Sequence, residues 1–339
     1  MNQQKFTLLV AVVVGLGIVS YFGGQSELSS LKETEEAQPL YADLKQQLST
    51  IHKITLQDNN NQVTLEKNDT DWGVVEKNGY TAASNKIREL LANLSSAYLI
   101  EKKTAKPENH ALLEIDDAQA MQLTLYANAD DQAIVQLLVG KVASGGNGQF
   151  VRMQGENQVW LTDKSFDLTV NAADWIYDVI LDVPANDVKA IQRRQGDTAY
   201  SLKVEESKLA LEEIPEGKQP GADYLFTAIQ GALSDLKALD VKPALTIDWN
   251  DAVISEYRVG DEWTYKVSAK DIDSKPFVRV TAEYRGETSE GKEKVKSLSS
   301  LKDWAFEVAS YKAEGLKRMQ AELLEDIPKQ EETSQPAEG

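Results

Sequence analysis

Arg152 and Arg279 are the charged residues that recur at matching places in this chain, each closing the same short run, Phe150-Val151-Arg152 and Phe277-Val278-Arg279. A guanidinium offers a planar fork of donors that fits a partner carboxylate or an anionic headgroup, so the pair forms the candidate binding site. The competing reading puts each arginine on the solvent side of its strand, or bridges it to a neighbouring acid.

The other reactive residue types are sparse. His52 and His110 are the only histidines, and there is no cysteine. That inventory disfavours a histidine-based triad, a thiol nucleophile and a multi-histidine metal site, and both histidines read as surface residues. No HExxH, GxSxG or phosphate-loop pattern occurs. Ser29 and Ser299 each begin an S-x-x-K, with Lys32 and Lys302, but the companion motifs of that chemistry are missing. Asp58-Asn59-Asn60-Asn61 resembles the start of a calcium loop, yet it lacks the central Gly and ends on Asp69 where a Glu is needed, so it reads as a turn. Asp271 and Asp273 are a weaker version. Asp116-Asp117 and Asp130-Asp131 are adjacent carboxylates whose side chains point apart. Ser144-Gly145-Gly146-Asn147-Gly148 lacks the lysine and helix of a phosphate loop and reads as a hairpin. No catalytic residue, metal ligand or cofactor is expected.

Acidic residues outnumber basic ones, 54 to 36, for a net charge of −18, which argues against a nucleic-acid partner. Phe6 to Phe22 is 17 residues without a charge. At the helical rise such a stretch reaches about 25 Å, the short end of what crosses a bilayer. Tyr21 and Phe22 occupy the places where a signal peptidase needs small residues. The stretch is therefore expected to be an uncleaved single-pass anchor. Lys5 before it and Glu27, Glu33, Glu35 and Glu36 after it predict a cytoplasmic N-terminus, an inner-membrane location and an extracytoplasmic, periplasmic body.

The elements that must position these residues come in two copies. Gln122-Leu123-Thr124-Leu125, Val139-Gly140 and Phe150-Val151-Arg152 are followed by Asp174-Trp175. Ala244-Leu245-Thr246-Ile247, Val259-Gly260 and Phe277-Val278-Arg279 are followed by Asp303-Trp304, at offsets between 120 and 129 residues. Such a period is too long for a solenoid unit and predicts two whole domains of one fold. We expect an α+β protein in which a transmembrane helix precedes two duplicated domains, each an antiparallel sheet with packed helices. The expected boundaries are an anchor over 1–24, a tether and short amphipathic helix over 25–50, a first domain over 51–185, a second over 186–315, and a helix end with an acidic tail over 316–339. In the first domain, alternating runs predict strands at Ile54–Leu56, Val63–Glu66, Trp72–Val75, Met121–Tyr126, Ile134–Val139, Phe150–Met153 and Val159–Leu161. Ile87, Leu90, Leu91, Leu94 and Tyr98 form the stripe of a helix capped by Ser84, and each Asp-Trp is read as a helix start. Lys102–Gln119 has no counterpart of similar length in the second copy and is a candidate contact surface.

Trp72, the Ile87–Tyr98 helix, Val139-Gly140, Phe150-Val151-Arg152 and Asp174-Trp175 together resemble a family of membrane-anchored bacterial proteins catalogued as a domain of unknown function. The match is best over about residues 50–185 and looser in the second copy, where Leu209 stands in place of Trp72. The family is similar to proteins encoded beside ABC-2-type permeases and the gliding-motility-type auxiliary component of ABC systems. That resemblance implies a non-catalytic accessory or scaffold whose partners are the membrane and ABC permease or auxiliary proteins. A cell-envelope enzyme using carboxylates and a lipid- or glycan-binding module are the alternatives.

Overall fold

Short apolar–polar alternations, each bounded by Asn, Asp or Gly turns, dominate the chain and pair into antiparallel ladders. The computed structural model describes residues 37–69, 71–127, 132–146 and 148–328. The first ten strands are β1 (Gln38–Pro39), β2 (Ile51–Gln57), β3 (Gln62–Lys67), β4 (Trp72–Val74), β5 (Tyr80–Thr81), β6 (Tyr98–Lys102), β7 (Met121–Ala127), β8 (Gln132–Val142), β9 (Gln149–Met153) and β10 (Val159–Thr162). They lie in one sheet in the order β1-β6-β10-β9-β8-β7-β2-β3-β4-β5.

The next set is β11 (Val179–Leu181), β12 (Val188–Gln195), β13 (Thr198–Glu205), β14 (Lys208–Leu211), β15 (Lys218–Pro220), β16 (Leu236–Pro243), β17 (Val253–Val259), β18 (Trp263–Ile272), β19 (Lys275–Tyr284) and β20 (Trp304–Val308). All but β15 form a second sheet, β11-β16-β20-β19-β18-β17-β12-β13-β14. β15 pairs instead with β21 (Leu324–Asp326). Raising each strand number of the first order by ten, from β1 to β4, reproduces the second order. The copies even share a defect: the ladder slips between Ile51 and Lys53 in β2 and between Val188 and Ala190 in β12.

Among the described residues five α-helices lie between the strands: α1 (Leu44–Gln47), α2 (Ser84–Ser96), α3 (Asp223–Gln230), α4 (Ser289–Leu298) and α5 (Ser310–Lys317). The apolar stripe of α2 buries Ile87, Leu90, Leu91 and Leu94. The stripe stops there, because Tyr98 has already entered β6 and is half exposed. Ser84 is the first residue of the helix, inside it and not in the cap position expected for it.

Several expectations are corrected. The protein is mostly antiparallel sheet, 43% strand against 26% helix, in place of the α+β build with a transmembrane helix. Period-2 patterning gives strands from Ile51 to Val308, and the helices are short insertions between them. The longest described helix, α2, has 13 residues. Such a helix reaches only about 20 Å, against about 30 Å of hydrocarbon. Among the described residues no helix is long and apolar enough to cross a membrane, so the expected single-pass anchor and inner-membrane location with a periplasmic body are not shown. The expected anchor, Phe6–Phe22, lies outside the described residues, as do most of the tether and the acidic tail over 329–339.

Some landmarks of the repeat also fall on different elements. Gln122–Leu125 lies in β7, whose counterpart in strand order is β17, whereas Ala244–Thr246 is a 3-10 turn after β16. Val139-Gly140 lies inside β8, but Val259 ends β17. Asp174-Trp175 closes a 3-10 turn, and Trp304 opens β20. Only Phe150-Val151-Arg152 and Phe277-Val278-Arg279 sit on corresponding strands, β9 and β19.

The described residues fall into two compact units. One takes those of 1–49, 90–121 and 136–167, the other those of 50–89, 122–135 and 168–339.

Candidate functional site

β9 brings Arg152 to the connector that leaves β6. The side chain is buried, and its Nε and Nη2 donate to the Ile115 carbonyl at 3.3 and 3.2 Å. Nη1 donates to the Glu156 carbonyl at 2.9 Å, and Nη2 also meets Asp117 Oδ1 at 2.5 Å. The neighbouring strand adds Gly140, where a Cβ would collide with the Leu113 carbonyl and stand 3.0 Å from that of Glu114. Both halves of the Val-Gly and Phe-Val-Arg pattern therefore serve one purpose. Gly140 lets the connector approach, and Arg152 holds its Ile115 carbonyl.

The same connector carries the 3-10 helix Pro107–Leu113, and beneath it Ile115, Ala120, Leu138 and Val159 form a small core with Leu113 and Phe150. His110 is 4% exposed, against the surface position expected for it, and its Nε2 lies 2.9 Å from the Asn157 carbonyl. A carbonyl only accepts, so Nε2 carries the proton and the ring is a further tie on the connector.

In the second copy Arg279 is half-buried on β19 with its guanidinium 5.3 Å from the Trp249 ring. Trp249 belongs to the shorter connector after β16, and its Nε1 donates to the Ala244 carbonyl at 3.0 Å. On β18, Lys270 Nζ donates to the Asp248 and Asn250 carbonyls at 3.0 and 2.8 Å. Ile247, Phe277 and Ala305 pack beneath, with Trp249 and Ile272. Lys270 and Arg279 thus hold this connector as Gly140 and Arg152 hold the longer one. Each connector also leaves one leucine outside its core: Leu112 is 69% exposed and Leu245 97% exposed.

A third arginine, unforeseen from the sequence, is the most buried cation described. Arg193, on β12, is 1% exposed. Its Nε donates to Ser255 Oγ at 2.7 Å, Nη1 to Tyr200 Oη and the Arg318 carbonyl, and Nη2 to Tyr257 Oη and the Gly315 carbonyl. All five N–H groups are engaged, so nothing is left for an outside anion. The signal was present in the alternation. Arg193 shares a strand face with Ile191, and Tyr200, Ser255 and Tyr257 occupy the buried phase of β13 and β17.

The remaining motifs resolve locally. Asp58 Oδ1 accepts the Asn60 and Asn61 backbone N–H groups at 2.7 Å each. Those two donors hold its carboxyl below the usual carboxylate range and close a turn. Gly148 ends the β8–β9 connection with φ +87°, against the Thr162 carbonyl; Asn147 lies outside the described residues. Ser29 and Lys32 lie outside them too, as do Asp130 and Asp131.

Two antiparallel sheets of one strand order, each with a cation-clamped connector, define this as a duplicated sheet protein. Residues 72–260 match the family described as "Domain of unknown function (DUF4340)", from Trp72 in β4 to Gly260 after β17. The match covers more than half of the chain, which therefore belongs to that family. It starts later than the span of best resemblance expected over about residues 50–185 and runs on into the second copy, where a looser match was expected, to include the first strands of the second sheet. No curated protein and no solved structure matches the chain.

Proposed function

We propose that the chain is a non-catalytic accessory or scaffold that acts through protein contacts as a component of an ABC-type transporter complex. The observation behind this reading is the pair of clamped connectors, each displaying a leucine that its own core does not cover. Burying a leucine is worth about 1.5–3 kcal/mol, which a partner surface recovers when it closes over the side chain. A rigid connector has little ordering entropy left to lose on docking. Acidic residues accompany both leucines, Glu108 and Glu114 in the first connector and Asp248 and Asp251 in the second, which favours an apolar pocket flanked by basic groups. The transporter partner rests on the family resemblance, whose members are similar to proteins encoded beside ABC-2-type permeases.

Photo-crosslinking amino acids placed at 112 and 245 in the full chain, followed by mass spectrometry of adducts formed in cells, test this reading. Adducts with permease or ATPase subunits, lost from Leu112→Asp and Leu245→Asp chains, are the expected result. Adducts spread over unrelated abundant proteins, or none at either position, would overturn it.

A further inference from the structure

A cleft of about 690 Å³ opens within the second compact unit. Tyr80 from β5, Tyr265 from β18, Leu301 and Trp304 line it, and Lys294 and Ser297 come to it from α4. Its size is that of a small-molecule site, about 300–1,000 Å³, and its lining is polar and apolar in about equal parts.

One wall is aromatic and stays apolar. The Tyr80 ring meets Trp304 edge-on at 5.0 Å and Phe306 at 5.9 Å. Its hydroxyl donates to the Tyr177 carbonyl at 3.2 Å, and burial pushes its pKa up, so the phenol stays neutral and tied back. Tyr265 and Leu301 are buried, whereas Trp304 is only half-buried and shows part of its ring to the cleft.

The polar groups are unequal. Lys294 is exposed, with Nζ 5.4 Å from the Trp263 ring, and among the described residues no carboxylate pairs with it. Asp182, the carboxylate at this cleft, already accepts the Asp235 backbone N–H at 2.9 Å. Ser297 already donates its hydroxyl to the Lys294 carbonyl at 2.8 Å, so the Lys294 ammonium, beside an aromatic wall, is the group that complements an anion with an apolar tail.

We propose that this cleft binds a single-chain amphiphile with an anionic head, of the alkyl carboxylate class. The chain lies against Tyr80, Leu301 and Trp304, and the head meets Lys294. Binding here is independent of the connector leucines, none of which lines the cleft.

Calorimetric titration of the full chain with laurate, below its micelle concentration, tests the site. Dodecyltrimethylammonium and a Lys294→Glu chain complete the set, with the melting temperature of the variant checked against the parent. Saturable one-to-one laurate binding is expected, weakened about tenfold or more in K294E, with the alkylammonium now preferred. Tyr80→Leu keeps an apolar wall and is expected to retain charge selectivity while weakening laurate. Absence of saturable laurate binding, or equal laurate affinity in the parent and a normally folded K294E chain, would overturn the proposal.

Discussion

Arg193 stands in the second sheet where Leu56 stands in the first. Leu56 lies opposite Val63 on one side and Leu123 on the other. Arg193 lies opposite Tyr200 and Ser255, on a strand carrying the same ladder slip. An all-apolar set has thus become a guanidinium ringed by hydroxyls. Each hydroxyl accepts from Arg193 and passes a hydrogen bond on: Tyr200 to the Arg318 carbonyl at 2.6 Å, Ser255 to that of Leu316 at 3.3 Å, and Tyr257 to that of Ile229 at 3.4 Å. Gly315, Leu316 and Arg318 end α5, whose last carbonyls otherwise have no partner. The cation therefore answers the negative end of a helix dipole, without any carboxylate. α5 follows β20, at a place where the first copy has no α-helix between β10 and β11.

Replacing Arg193 by Met is expected to destabilise the protein by about 3–5 kcal/mol, since it strands buried hydroxyls and carbonyls together. Arg193→Lys should recover only part, having three donors where five are used. Urea unfolding of the two variants checks this. Equal stability of parent and R193M would show that water or neighbouring groups replace the guanidinium.

Gly140→Ala is expected to push the first connector off β8. The Leu113 carbonyl blocks the new methyl, and backbone cannot swing aside as a flexible side chain does. The loss should be about 1–3 kcal/mol, as for other overpacked sites. Limited proteolysis should gain cleavage sites between residues 103 and 119 in the variant. An unchanged digest would contradict the close approach.

The two motif arginines should differ in weight. Arg152→Met removes a buried cation from two carbonyls and is expected to cost about 2–3 kcal/mol. Arg279→Met removes a half-buried cation–π contact, about 1 kcal/mol or less. Asp117→Asn should change little, under about 1 kcal/mol, because the Asp117 side chain is 86% exposed to solvent. Thermal melts of the three single variants give the ranking directly.

Alkaline unfolding is expected to be cooperative. Tyr80, Tyr200, Tyr257 and Tyr265 all hold their protons above the usual phenol value of 10.0, chiefly because burial disfavours the phenolate. At Tyr200 and Tyr257 the Arg193 charge pulls the other way, and burial outweighs it. The unfolded chain releases these protons from about pH 10, while the folded chain keeps them. Stability is therefore fully present below that pH and falls as pH rises through the raised folded values. Tyrosinate absorbance and near-ultraviolet dichroism should change in one coincident step. A gradual absorbance rise with the dichroism intact would contradict the buried placement.

Much of the first sheet was legible. Runs such as Val63–Glu66 and Met121–Tyr126 alternate with period 2 and became β3 and β7, and the Ile87–Leu94 stripe became the buried face of α2. The clamps were half legible. The spacing of Val139-Gly140 and Phe150-Val151-Arg152 marked the right residues but could not say that both face the connector after β6, which is contiguous with neither. Asp174-Trp175 and Asp303-Trp304 misled as helix starts, since the first closes a 3-10 turn and the second straddles the end of a 3-10 turn and the start of β20. A dipeptide is compatible with both, and its neighbours decide.

The sequence by itself determined the period of the elements, the acidic balance and the existence of a repeat, because these depend on residues near one another in the chain. The tertiary structure alone decided which strands are neighbours, and with that the equivalence of Arg193 to Leu56, the shared duty of Gly140 and Arg152, and the cleft around Tyr80 and Trp304. Alternation states which face a side chain occupies but not what lies across the ladder. Arg193 could be read as buried from its phase. That its five donors would find three hydroxyls and the end of a helix more than a hundred residues away needed the pairing of β12 with β13 and β17.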